Sequence, residues 1–271
     1  MSGRLRALRP WEVALYALGR GVKGAVILFL LVPAVLVVLL SFSNDSNLQF
    51  PPDSWGLGQY EALWNSEYWI GAVGTSFVIA APTALVCALV GVPAALALER
   101  SRMRGKGALW GLGVAPLVLP GVAYAVALYA FFADLRLIGT HTGVILSSAM
   151  LALPFVILIV GSGLRRIPQE LELVAMSLGA SSTRATFGIT LRLLAPSIAA
   201  ATLLAFMVTF DEAVLITFVG GGEVITLPKA TYDSVRDGLD PVITAISSLL
   251  MLFTGLLMVV ATRLRGEREQ T

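Results

Sequence analysis

The chain has 271 residues, 57% of them hydrophobic and only 13% charged, with a net charge of +2. A soluble domain carries about 25% charged residues, so a polar shell is excluded, and the apolar residues gather into long runs as in a polytopic membrane protein. The near-neutral balance offers no basic face for nucleic acid, the one histidine (His141) excludes two-histidine zinc sites, and the one cysteine (Cys87) excludes an intramolecular disulfide.

From the N-terminus, Arg4, Arg6, Arg9, Arg20 and Lys23 precede an apolar stretch from Gly24 to about Phe42. That stretch is too long for the apolar core of a signal peptide and no small-residue cleavage site follows, so it reads as a retained first span. Pro10–Gly19 is expected to form a short interfacial helix, with Pro10 in its first turn and Trp11 at headgroup level. A span needs about 20 apolar residues. Six segments qualify, at roughly 24–42, 69–98, 108–133, 143–164, 193–219 and 242–262. The second is long enough to tilt or project. Pro116 and Pro120 make the third the best candidate for a broken helix. Cys87, inside the second, reads as a buried small hydrophobe.

Lysine and arginine set the orientation. One alternating set of segments holds 16 of the 19 basic residues, leaving only Arg136, Lys229 and Arg236 for the other. Both termini are therefore expected in the cytoplasm. The cluster Glu99-Arg100-Ser101-Arg102-Met103-Arg104 reads as a topology determinant of solvated charge. Loop 43–68, with Asp45, Asp53, Glu61, Glu67 and the aromatics Trp55, Tyr60, Trp64 and Tyr68 leading into Trp69, suits an interfacial belt, a short surface helix or a docking surface. Loop 220–241 begins Gly220-Gly221-Gly222 and is expected to form a turn and a short external helix.

The longest cytoplasmic loop, 165–192, reads RRIPQELELVAMSLGASSTRATFGITLR. Pro168 suits a helix start, and Glu170 and Glu172 complement its dipole. Leu171, Val174, Ala175 and Leu178 recur on one face, and Gly179 can end the helix in a left-handed conformation. A second short helix follows, capped by Ser181 or Ser182. The two form a compact knob between spans.

Asp211 and Glu212 interrupt the fifth apolar run. Ionisable groups there either line a wet path, favouring a cation, or sit near the outer boundary, paired or capping a break before Gly220. Tyr124 and Tyr129, after Pro120, either line the same path or pack at an interface.

Loop 165–192 resembles the EAA loop of ABC importer permeases (Glu-Ala-Ala, three residues, Gly, nine residues, Ile-x-Leu-Pro). Ala175, Gly179, Ile189 and Leu191 match in register. Leu173, Val174 and Arg192 depart from the pattern, with Glu172 one place early as a substitute for the family glutamate. Phe210–Ser247 and Ser41–Tyr60 are similar to spermidine/putrescine-type permeases, and the resemblance covers about 24–262.

The resemblance implies an all-α fold of six transmembrane helices, the type I importer permease, in a bacterial inner membrane. Residues 1–23 would form a cytoplasmic or interfacial segment, 24–262 the transmembrane domain and 263–271 a cytoplasmic tail. The knob would be a coupling helix, with Glu170, Glu172, Ala175, Leu178, Gly179 and Ala180 in the ATPase-coupling loop. Implied partners are two copies of a cytoplasmic ATPase, a second homologous permease chain and a periplasmic or lipid-anchored solute-binding protein. The chain has no Gly-x-x-x-x-Gly-Lys-Ser/Thr loop and is expected to bind no cofactor, ATP and magnesium belonging to the ATPase. Asp211, Glu212, Tyr124 and Tyr129 would line the path of a polyamine; the resemblance favours Asp211, since it places an acidic residue there. Ferric iron, thiamine or an oxyanion are alternative solutes. From another class, a stand-alone secondary transporter or channel is the competing reading. An intramembrane enzyme is disfavoured by the absence of a nucleophile–base pair in the spans.

Overall fold

The computed structural model describes residues 10–101, 104–238 and 240–266. In chain order the helices are α1 (Pro10–Leu40), α2 (Gly58–Asn65), α3 (Glu67–Arg100), α4 (Lys106–Val114), α5 (Gly121–Asp134), α6 (His141–Leu164) and α7 (Glu170–Ser177). They continue with α8 (Ser182–Ala185), α9 (Leu191–Phe210), α10 (Val214–Val219), α11 (Leu227–Asp237) and α12 (Val242–Gly266). Among the described residues, four helices are long and apolar enough to cross a membrane, or five if one bent pair counts as a single span. The chain divides into two compact units, one made of residues up to Ser66 and from Val235, the other of Glu67–Ser234.

In the first unit, α12 packs against α1 and α2. Helix α1 departs from expectation. Pro10–Gly19 is no separate interfacial helix but the opening turns of one 31-residue helix. Pro10 stands where its missing N–H costs nothing, and no second proline falls before Pro33 to end the helix. The loop after α1 is cross-linked by polar groups. Asp45 accepts from the Asp53 backbone N–H (2.7 Å) and the Ser54 hydroxyl (2.9 Å), and Asn44 Oδ1 accepts from the Gly58 N–H (2.8 Å). Desolvation acts upward on Asp45 as the largest single influence. The donors around it, Ser54 and the Asp53 N–H first, together hold its carboxyl below the usual value. Tyr60, on α2, shares hydrogen bonds with Ser41 (2.8 Å) and Ser248 on α12 (2.7 Å).

The second unit is organised by α3, α6 and α9, which pack on one another through small residues. Ala84, Cys87 and Ala95 of α3, Ala149 and Ala152 of α6, and Ala201 and Ala205 of α9 lie in one buried cluster. Lipid supplies no hydrophobic drive for helices to associate, so close backbone approach and dispersion must do so. Gly91 shows how tight the approach is: a Cβ there would lie 2.7 Å from Val156 Cγ1. Cys87 is buried, as expected, against the Ala149 carbonyl (3.5 Å). Helix α3, with 34 residues, is about 51 Å long at 1.5 Å per residue, well beyond a hydrocarbon core of about 30 Å.

The third apolar run breaks where its prolines stand. Helix α4 passes into a 3₁₀ turn at Ala115–Leu117, and α5 departs at 105°. Pro116 and Pro120 lack the N–H groups a continuous helix would use. Helix α5 and α10 pack together around Tyr124, Leu128, Leu215 and Ile216. The fifth run also breaks, where a continuous span over 193–219 was expected. Helix α9 stops at Phe210 and α10 starts at Val214.

Candidate functional site

The 165–192 loop folds into the predicted knob. Helix α7 ends in a Schellman motif. The Ala180 N–H donates to the Ala175 carbonyl (3.1 Å) and the Gly179 N–H to that of Met176 (3.0 Å). Gly179 carries a φ of +93° with open space around it. Its requirement for glycine is therefore one of backbone conformation and not of crowding. Ser181, and not Ser182, caps α8, accepting from the Arg184 N–H at 3.3 Å. The chain then enters α9 through a π-helical segment, Thr186–Thr190, which contains Ile189 and ends beside Leu191.

Helix α7 buries none of its residues. Leu173 (60% exposed), Val174 (59%) and Leu178 (84%) stand open beside Leu171 and Met176, with Ala175 half-buried. Glu170 is exposed. Exposing apolar surface costs about 25 cal/mol per Å², so a short helix built this way calls for a cover.

Glu172 is turned away from the open face. Its carboxylate accepts from the hydroxyl of Thr190 in the π segment, and lies 3.6 Å from the Arg100 guanidinium at the end of α3. Neighbouring Glu99 accepts twice from Arg165 through one oxygen, at 2.7 and 3.1 Å. That hydrogen bond holds the Arg165 guanidinium above its ordinary value. The expectation of solvated charge is thus corrected for Glu99 and Arg100, whose side chains are 17% and 18% exposed. Helix α3 runs far enough beyond its apolar stretch to bring both against the loop. Arg102 and Met103 lie outside the described residues.

The acidic pair at the α9–α10 break separates into two roles. Glu212 Oε1 accepts from the Leu215 N–H (2.8 Å), supplying one of the partners that the start of α10 lacks. Asp211 closes α9, is exposed, and makes no ion pair or side-chain hydrogen bond among the described residues. Beside it stands an aromatic group that the sequence reading missed. Phe210 stacks on Phe206 (ring centroids 5.6 Å apart), and Phe77 of α3 meets Phe210 edge-on at 5.4 Å. The i, i+4 spacing of Phe206 and Phe210 was a visible signal, whereas Phe77 enters only through the α3–α9 contact. Tyr124 is buried, its hydroxyl without a hydrogen-bond partner among the described residues, in the same cluster as Leu215. Tyr129 is exposed (44%). No hydrogen bond joins either tyrosine to Asp211 or Glu212 among the described residues.

Lys229 of α11 was read only as a basic residue of an outer loop. Its side chain is 9% exposed and pairs with Asp233 at 2.6 Å, so the helix buries a neutralised charge.

Similarity to known proteins accounts for this architecture. The chain is 32% identical to the putrescine transport system permease protein PotI of Escherichia coli K12, over 96% of this chain and 92% of that one. It is 29% identical to the spermidine/putrescine transport system permease protein PotC of the same strain, over 91% and 94%. The molybdenum transport system permease protein ModB of Mycobacterium bovis is 32% identical over 69% of this chain and 75% of its own. In three dimensions the chain matches a chain in the crystal structure of a bacterial ABC transporter involved in the import of the acidic polysaccharide alginate. The TM-score is 0.70 and the match covers 96% of this chain and 98% of that one, at 13% identity, which establishes a shared fold. Residues 88–266, containing the knob and the α9–α10 break, match the binding-protein-dependent transport system inner membrane component family, and the chain belongs to that family.

Proposed function

We propose that this chain is the membrane permease of an ABC importer for a polyamine, with putrescine or spermidine as solute. The observation that carries the reading is the near-full-length similarity to two polyamine permeases. The exposed Asp211 carboxylate beside the Phe77/Phe206/Phe210 group supports it. An ammonium group is attracted to a carboxylate and to aromatic faces, so these side chains suit a flexible diamine better than an oxyanion. Asp211 would contact solute, Tyr129 would lie along the path, and Glu212 and Tyr124 would shape its wall.

In this reading all six apolar runs span the inner membrane, the third as the bent α4–α5 pair and the sixth as α12, with both termini in the cytoplasm. The open apolar face of α7 seats in a groove of a cytoplasmic ATPase. Two ATPase copies, a second permease chain and a periplasmic or lipid-anchored binding protein complete the assembly. ATP and magnesium act in the ATPase, whose closure rocks the spans between inward-open and outward-open states.

The test is ATP hydrolysis by the reconstituted complex. Putrescine or spermidine, presented with the binding protein, should stimulate the wild type, and Asp211→Asn should weaken that response several-fold without lowering basal hydrolysis. Stimulation by molybdate and not by polyamines would move the solute to the oxyanion class, which the similarity to ModB makes the specific competitor.

A further inference from the structure

Glu172 joins three elements that the family reading treats separately. It projects from α7, accepts from Thr190 in the π segment that opens α9, and faces Arg100, the last residue of α3. Helices α3 and α9 are two of the three that build the packed core. Thr190 is fully buried, and both side chains of the ion pair are less than one-fifth exposed.

The pair is made as an ion pair but not as a hydrogen bond. Arg100 Nη2 is buried, has no hydrogen-bond partner among the described residues, and stands 3.6 Å from Glu172 Oε1. A buried donor in this state carries an unmet demand. Closing to the ordinary charge-assisted distance requires a movement of about 0.7 Å. A cavity of about 290 Å³, lined by Arg100, Arg165, Pro168 and Gln169 among others, adjoins the arginine side of the pair. The π segment adds compliance on the other side, since π turns strain the helical ladder and recur at functional positions.

We propose that Arg100, Glu172 and Thr190 form the strut through which a displacement of α7 reaches α3 and α9. Arg100 and Glu172 are positioning residues that convert ATPase closure into movement of the spans, with the 3.6 Å gap closing in one state of the cycle and open in the other. Glu172 therefore does not act as the ATPase-facing glutamate of the EAA pattern. It works on the inner side of the same helix. The inference rests on the coupling reading of α7 and assigns that helix a second, inward-facing function.

The experiment uses the complete complex in proteoliposomes and reads three quantities: ATPase subunits retained, ATP hydrolysed, and putrescine taken up per ATP. Glu172→Gln keeps the size and the acceptor for Thr190 but removes the charge. Glu172→Gln and Arg100→Gln should each retain the ATPase and hydrolyse ATP while uptake per ATP falls about tenfold. The exchanged pair Arg100→Glu with Glu172→Arg should recover much of that loss. Wild-type uptake per ATP in both single variants would overturn the proposal. Loss of the folded complex in Glu172→Gln would also overturn it, by assigning the pair to stability. Failure of the wild type to retain the ATPase or to take up putrescine would instead overturn the reading beneath, and this inference with it.

Discussion

Helix α7 and the α3–α6–α9 contact are both rich in aliphatic and small residues, yet they use them in opposite ways. The three long helices bury alanine, glycine and valine until there is no room for one more carbon at Gly91. Helix α7 buries nothing and leaves Leu173, Val174 and Leu178 open. In the first region side-chain volume is the constraint, because dispersion between close helices holds the unit together. In the second, backbone shape is the constraint, because Gly179 fixes where the knob turns while its side-chain position is empty. Substitutions in the two regions should therefore fail by different routes, one through folding and the other through assembly.

The largest separation is expected from Gly91→Leu. Its added carbons meet Val156 and Leu153, and overpacking of this kind costs about 1–3 kcal/mol or more. Thermal unfolding in detergent should show a marked loss of stability, with every activity falling in step. Next is Gly179→Pro, which is incompatible with a positive φ and removes the donor to the Met176 carbonyl. It should leave the unfolding temperature of the core unchanged while abolishing solute-stimulated hydrolysis. Gly179→Ala meets only the left-handed backbone penalty, about 1–2 kcal/mol, and should reduce stimulation partially. If Gly179→Pro destabilised the core as much as Gly91→Leu, the distinction between the regions would collapse.

What the sequence disclosed follows the same division. The apolar runs, the break at Pro116 and Pro120, and the knob ending at Gly179 were legible because each signal lies within a few residues. The α9–α10 break was legible only as one of two readings of Asp211 and Glu212, since no proline or glycine marks residues 211–213 and its stabilising contact is a side chain reaching forward from Glu212. The Arg100–Glu172 pair and the meeting of Phe77 with Phe210 join residues far apart in the chain. Those depend on how α3 packs, which periodicity does not encode. Pro10–Gly19 was misread because anchoring residues suggested a stop that the backbone does not make.

The smallest effect concerns the loop after α1. Asp45 has a lowered carboxyl value, so its contribution to loop order is fully present above about pH 3.8 and fades as pH falls through the folded value. Backbone amide exchange at Asp53, corrected for the intrinsic rate, should accelerate as the pH drops through that range. Asp45→Asn should remove the pH dependence.

The open apolar face of α7, as the ATPase seat proposed above, is probed by retention of the ATPase in Leu178→Asp. This side chain is 84% exposed, and surface changes usually alter stability by less than about 0.5 kcal/mol. Co-purification of the ATPase subunits with the membrane chain, measured beside thermal unfolding, separates the two effects. Leu178→Asp should leave the unfolding temperature unchanged and lose most of the bound ATPase. A full complement of ATPase on the Leu178→Asp chain would contradict that proposal.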